Sequence, residues 1–238
     1  MAKIYPVVLA TMENCDYSHN VYDTDFGKKV RAGFLGFIVV DRDKMLVFDT
    51  GPNLEHWRDA AGAPLVEGDP SAAFLQKLRE LGKTPEDIDY VVLSHLHSDH
   101  IGNWKMFPKA EIVILRQEMA YAAAPVNPLY YDLAEIAELI AASSRIRYVD
   151  ADEDLTEHVR LMRLGGHTPG SMAALVQTAQ GVAALAGDFV CVYENLHTRS
   201  VTVTNVDEWI LSLRRLKSAA DLILPGHELR VAEDYPVI

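Results

Sequence analysis

The stretch Ser94-His95-Leu96-His97-Ser98-Asp99-His100-Ile101-Gly102 places three imidazoles and a carboxylate within six residues. Ahead of it, residues 88–93 (Ile-Asp-Tyr-Val-Val-Leu) form a short run of β-branched, aromatic and apolar side chains, the signature of a buried strand. The His-x-His-x-Asp-His pattern therefore hangs off a strand end, in a loop that enters a helix. Imidazoles at this spacing beside a carboxylate suit a borderline metal such as zinc. A polar loop with satisfied histidines is the plainer reading, and the rest of the chain decides between them.

Three more loops after predicted strands carry His or Asp next to glycine: Gly165-Gly166-His167-Thr168-Pro169-Gly170, Gly187-Asp188 and Pro225-Gly226-His227. Strand ends in a packed sheet gather on one edge, where rigid strands fix ligand positions. The inventory is then His95, His97, Asp99, His100, His167, Asp188 and His227. It exceeds what one tetrahedral zinc needs and leaves a water position on each of two metals. The natural division puts His95, His97 and His167 on one metal and Asp99, His100 and His227 on the other. Asp188 bridges them, because a carboxylate has two oxygens to offer.

Outward from these loops, residues 4–10 read as a first strand and residues 11–32 as a long polar loop. Tyr17, Tyr22 and Phe26 in that loop either line a pocket or pack onto the domain. Residues 34–40 and 45–48 read as a hairpin ending at Asp49-Thr50-Gly51-Pro52. Asp49 either orients a metal ligand from behind or caps its own turn. Residues 53–69 read as loop, and Asp69-Pro70 starts a helix with Phe74, Leu75, Leu78 and Leu81 on one face. Strands are expected at 110–115, 145–149, 158–164, 172–177, 182–186 and 221–224, with an amphipathic helix over 206–219 and a helical excursion over 116–144, a natural place for a substrate-covering wall. Neither a repeat nor a linker interrupts the chain, so one domain over residues 1–238 is expected.

Composition narrows the function class. The chain has 238 residues, 49% hydrophobic and 24% charged, which is ordinary for a globular enzyme. Its net charge of −12 repels phosphate backbones, so nucleic acid is not an expected partner. No apolar stretch approaches a membrane span, and the N-terminus lacks the apolar core of a signal peptide. With only Cys15 and Cys191, far apart, no disulfide framework is indicated, and the cytoplasm is the expected location. His19, His56, His158 and His197 lack ligand spacing and read as surface or packing histidines. Trp57, Trp104 and Trp209 read as core or helix-packing residues.

Phe48-Asp49-Thr50-Gly51, His95-x-His97-x-Asp99-His100, Gly166-His167-Thr168-Pro169-Gly170, Asp188 and Gly226-His227 stand in the order and at the spacing of the metallo-β-lactamase superfamily. The chain resembles that superfamily over nearly its whole length, and within it most resembles the N-acyl-homoserine lactone lactonases. The resemblance implies an α+β fold, a four-layer αββα sandwich, and the same division of ligands over two zinc ions or other divalent transition metals. It also implies a quorum-quenching lactonase activity. Lactonases of this group often place a tyrosine three residues after the bridging aspartate; here that position is Cys191. Tyr193, Tyr17, Tyr22 and Phe26 are the other substrate-contact candidates, while Cys191 itself either lines the pocket or is a small buried hydrophobe.

The expected chemistry is opening of a lactone or related ester by a hydroxide bridging two metals, with Asp99 and Asp188 as the catalytic carboxylates. Thioesterases of the glyoxalase II type share the ligand set but usually add a helical domain, whereas 11 residues follow His227 here. Such a thioesterase or another carboxylic ester hydrolase is the second enzyme reading. A metal-dependent binding protein is the non-enzyme reading, disfavoured because a closed structural site needs four ligands. The expected partner is a small ester or lactone, with a homodimer the only protein assembly considered.

Overall fold

A computed structural model describes residues 1–238. Two mixed sheets form its centre. The larger runs in the order β4-β1-β2-β3-β5-β6-β7. Its strands are β1 (Lys3–Asp16), β2 (Lys29–Asp41), β3 (Lys44–Phe48), β4 (Glu67–Gly68), β5 (Tyr90–Val92), β6 (Glu111–Leu115) and β7 (Ile146–Val149). The smaller contains β8 (Glu153–Asp154), β9 (Val159–Arg163), β10 (Met172–Thr178), β11 (Gly181–Leu185) and β12 (Leu222–Leu224), in the order β12-β11-β10-β9-β8.

Side-chain alternation along these strands builds the layers. Phe37, Val39, Leu46, Phe48, Val92 and Val113 face the inter-sheet core, where they meet Leu161, Ala174, Val176 and Leu185 of the smaller sheet. Their neighbours Ile38, Val47, Val91 and Ile112 point the other way. They pack under α2 (Pro70–Glu80), α3 (Ser98–Ile101), α4 (Arg116–Ala122) and α5 (Leu133–Ala141), while a short α1 (Tyr17–Asn20) follows β1. Ala173 and Ala184 turn outward in the same way, against Trp209, Leu213 and Leu216 of α6 (Val206–Ala219). A short α7 (Arg230–Asp234) follows β12. The result is the four-layer αββα sandwich expected from the sequence. No helix is long and apolar enough to cross a membrane.

The expectation of a long loop over residues 11–32 is corrected. β1 continues to Asp16 and pairs antiparallel with β2, with register shifts between Val8 and Ala10 and between Met12 and Cys15. Each shift breaks the two-residue alternation that a sequence reading relies on, so the polar end of the strand looks like loop. Only residues 21–28 separate α1 from β2. By contrast, α2 begins as expected: Asp69 Oδ1 accepts from Ala72 N at 3.0 Å, and Pro70 stands in the first turn.

Strand direction gathers the loops that carry His and Asp. β3, β5, β6 and β7 are mutually parallel. In the other sheet β9, β11 and β12 share one direction, since β10 pairs antiparallel with both β9 and β11 while β11 pairs parallel with β12. Backbone bonds then zip the loops together at this edge: Thr50 N donates to His100 O at 2.7 Å, Met172 N to Ser94 O at 2.9 Å and His227 N to Cys191 O at 2.8 Å. Gly102 must lack a side chain here, because a Cβ would lie 2.1 Å from Asn53 N.

The two sheets are also pinned at the opposite end. Asp41, buried at the end of β2, accepts from Thr156 Oγ1 at 2.6 Å and His158 N at 2.9 Å, and its Oδ1 faces His158 Nδ1 at 2.7 Å. Burial pushes the Asp41 carboxyl up, but these hydrogen bonds outweigh it and hold it below the ordinary value of 3.8. A carboxyl depressed on folding stabilises above its unfolded pKa, and that stability is lost as pH falls through the folded value. Asp41→Asn is therefore expected to cost ~1–3 kcal/mol at pH 7. The gap to the parent, read from urea midpoints, should shrink as pH is lowered below about 4. A gap independent of pH contradicts this account.

Candidate metal centre

Each ligand-bearing side chain sits just past a strand end. β5 leads into His95, His97 and α3, which holds Asp99 and His100; β9 leads to His167, β11 to Asp188 and β12 to His227. Two sets of donor atoms converge, His95, His97, His167 and Asp188 in one, and Asp99, His100, Asp188 and His227 in the other. Within each set the atoms lie within 4.8 Å of one another, and Asp188 belongs to both. In the first set, His167 Nε2 stands 3.2 Å from His95 Nε2 and 3.3 Å from His97 Nδ1. In the second, Asp188 Oδ1 lies 2.8 Å from His227 Nε2 and 3.1 Å from His100 Nε2, and Asp99 Oδ2 lies 3.4 Å from His227 Nε2. The other oxygen of Asp188, Oδ2, lies 3.9 Å from His167 Nε2.

The partners behind the imidazoles fix their tautomers. His227 Nδ1 donates to the carbonyl of Gly33 at 2.6 Å, and His100 Nδ1 faces Asp49 Oδ2 at 2.8 Å. Carbonyl and carboxylate oxygens only accept, so both Nδ1 atoms carry the proton. Ser94 Oγ donates to Asp49 Oδ2 at 2.7 Å, which leaves its lone pairs for His95 Nδ1 at 2.9 Å. In all three rings Nδ1 is held at the back, which turns Nε2 inward. Asp49 thus holds His100 directly, and His95 through Ser94, from behind.

Electrostatics separates the two sets. Burial pushes His95, His97 and His167 down, and neighbouring imidazoles push His95 and His97 further, His97 to about 3. Burial also works against charge on His100 and His227, but Asp188 and Asp99 outweigh it and hold both up, His227 at about 10. The same pairing keeps Asp99 and Asp188 well below the usual carboxylate range, although burial alone would raise them. Imidazole nitrogens crowded against one another in the first set, and buried carboxylates facing imidazoles in the second, are what a pair of divalent cations would satisfy. The residues present fit a dinuclear metal site.

A cavity of about 360 Å³ opens over this cluster, with His97, Asp99, Asp188 and His227 on its floor. Met12, Ala32, Phe34, Trp57 and Leu129 supply an apolar wall; Tyr130, His19 and Thr202 supply polar edges. A second hollow of about 250 Å³ lies on the other side of His97, Tyr130 and Thr202, which line both. Cys191 reaches the cavity wall, as one reading of it required, and its Sγ donates back to Asp188 O at 3.3 Å.

The other substrate-contact candidates are not among the lining side chains. Tyr193 packs against the inter-sheet core under Arg230, Tyr17 lies under Lys28, Tyr22 stacks with Arg199, and Phe26 is largely exposed. Trp57, read as a packing residue, instead joins the wall and meets Phe34 edge-on, with ring centroids 5.3 Å apart. His19, read as a surface residue, also lines the cavity. The excursion over 116–144 supplies part of the wall, as its sequence suggests, through Leu129 and Tyr130 of a 3-10 turn, Pro128–Tyr130, which the sequence does not single out.

The sequence profile of the Metallo-beta-lactamase superfamily matches residues 32–227. The N-acyl homoserine lactonase of Bacillus cereus is 29% identical over 158 residues, which cover 64% of this chain and 60% of that one. N-acyl homoserine lactonase AiiB of Agrobacterium fabrum (strain C58 / ATCC 33970) is 29% identical over 157 residues, covering 59% and 56%. The aligned stretch thus spans less than two thirds of the length of these relatives. Among solved structures, an N-acyl homoserine lactone hydrolase holding N-hexanoyl-L-homoserine at its catalytic metal centre superposes with a TM-score of 0.79 at 21% identity, over 98% of this chain and 95% of that one. AidC, a dizinc quorum-quenching lactonase, gives 0.71 at 18% identity, over 96% and 88%. These two likenesses establish the fold. With both sets of donor residues falling inside the matched span, the chain belongs to the metallo-beta-lactamase superfamily.

Proposed function

We propose that this protein is a dinuclear-metal hydrolase that opens N-acyl homoserine lactones or closely related ester rings. The carrying observation is the pair of buried donor sets that share Asp188 beneath an apolar-walled cavity. His95, His97 and His167 would hold one metal, Asp99, His100 and His227 the other, and Asp188 both. Bound there, two zinc ions supply a water activated at neutral pH and Lewis acidity for the ester carbonyl.

The chain's own groups do the rest. Asp99 is the more exposed of the two carboxylates on the cavity floor, with 15% of its side chain exposed against 10% for Asp188, so one carboxylate oxygen can take a proton and return it to the departing alkoxide. Phe34, Trp57, Met12 and Leu129 enclose an apolar tail and exclude water from the reacting ester. Tyr130, half-buried on the rim shared by the two hollows, is the tyrosine placed to meet substrate where Cys191 cannot. Cys15 and Cys191 are both free, which suits the reducing cytoplasm.

A substrate panel on the metal-loaded protein tests this reading. Each methylene enclosed by the apolar wall contributes ~0.8 kcal/mol, so kcat/KM for acyl homoserine lactones is expected to rise about fourfold per methylene until the wall is covered. Thioesters and phosphoesters are expected to be turned over more slowly. A flat chain-length profile, or thioester turnover far above lactone turnover, contradicts it.

A further inference from the structure

One fully buried carboxylate beside the centre belongs to neither donor set. Glu118, in the first turn of α4, is 0% exposed. Its Oε1 accepts from Leu96 N at 3.0 Å and from Tyr131 Oη at 3.2 Å. Its Oε2 accepts from Thr168 Oγ1 at 2.7 Å and Gly170 N at 3.1 Å. Leu96 lies between His95 and His97, and Thr168 follows His167. The Tyr131 ring stands edge-on to His97, with centroids 4.8 Å apart. Gly170 lets its loop reach the helix: a Cβ there would fall 2.3 Å from Glu118 N.

We infer that Glu118 is the positioning residue of the three-histidine set, docking the loop of His95 and His97 and the loop of His167 onto one carboxylate and so fixing the gap between them. The inference rests on the dinuclear reading above. The other half of the centre has its own anchor, since Asp49 binds His100 directly and reaches the three-histidine set only at His95, through Ser94. Loss of Glu118 should therefore affect one metal step and spare the other.

Glutamine has the same size but cannot do the same work. All four partners of Glu118 are donors. The Tyr131 and Thr168 hydroxyls can turn to accept from an amide, but the backbone N–H groups of Leu96 and Gly170 cannot. Whichever way the amide faces, its NH₂ meets one of those N–H groups, and one of the two loops is released.

The test titrates metal-free protein with zinc against a competing chelator, and with cobalt read by its visible absorption. Wild type is expected to show two binding steps. Glu118→Gln should weaken one step by about 10–100-fold, the range for groups that orient ligands from behind, with loss of the cobalt band of that step. The other step should stay within about twofold, the scatter of independent sites. Thr168→Val, which removes one donor and keeps both backbone contacts, should weaken the same step by about fivefold; it carries the test if Glu118→Gln does not fold. Two unchanged steps in Glu118→Gln, or equal weakening of both, overturns the inference while the dinuclear reading stands. A wild type without two steps overturns the dinuclear reading and this inference with it.

Discussion

Asp188→Asn is expected to lower lactone hydrolysis by about a thousandfold or more, a loss of ~4 kcal/mol of transition-state stabilisation, in a protein that still folds. Asp188 is the one residue common to both donor sets. Its Oδ1 stands within 3.1 Å of His100 Nε2 and His227 Nε2, while Oδ2 faces His167. An amide keeps the shape but offers one weak oxygen ligand and one NH₂ that cannot ligate. It also removes the negative charge that, with Asp99, holds up the two histidines of the second set. The centre should lose at least one metal. Steady-state kinetics with metal analysis checks this. A variant that holds two metals per chain and retains activity within tenfold of wild type contradicts the assignment.

The second large effect is expected at Asp49, which combines a buried carboxylate with a strained backbone. Its φ is 58°, in the left-handed region, and its side chain is bound by Ser94 N, Ser94 Oγ and His100 Nδ1. Asp49→Ala strands these donors in a buried site and should cost ~3–5 kcal/mol, with metal affinity down about 10–100-fold. Asp49→Gly relieves the backbone and should be ~1 kcal/mol more stable than Asp49→Ala, yet it should lose the same metal affinity. Thermal melts of metal-free protein beside zinc titrations separate the two terms. Equal metal affinity in wild type and Asp49→Gly contradicts a positioning role for this carboxylate.

The donor residues were legible in the sequence for a physical reason. A strand end fixes where a side chain points, and a glycine next to it permits the close approach that crowded ligands need. Both marks are local, so His167, Asp188 and His227 each announce themselves, while His95 is marked by its strand end and the His-x-His-x-Asp-His spacing. The cavity wall carries no such mark. Trp57 and Leu129 reach it only through the tertiary paths of the segment after β3 and the turn before α5, and as residues in a list they look like any packing side chain. Tyr17, Tyr22 and Phe26 fall in a stretch that reads as one long loop; extension of β1 to Asp16 across two register shifts shortens it to residues 21–28, where Tyr22 stacks with Arg199 and Phe26 is largely exposed. Glu118 was invisible for the opposite reason. Its partners at 96, 131, 168 and 170 lie on three separate segments. Alone, it is one more glutamate in the first turn of a helix, where acidic residues are common.

The central claim is that two metals share Asp188 between the three-histidine set and the Asp99–His100–His227 set. Anomalous diffraction from zinc-loaded crystals, recorded on either side of the zinc edge, tests it most directly. Two peaks ~3.5–4 Å apart, one against each set and both within ligand distance of Asp188, are the predicted result. A single peak, or a pair that leaves Asp188 outside ligand distance of either ion, would contradict it.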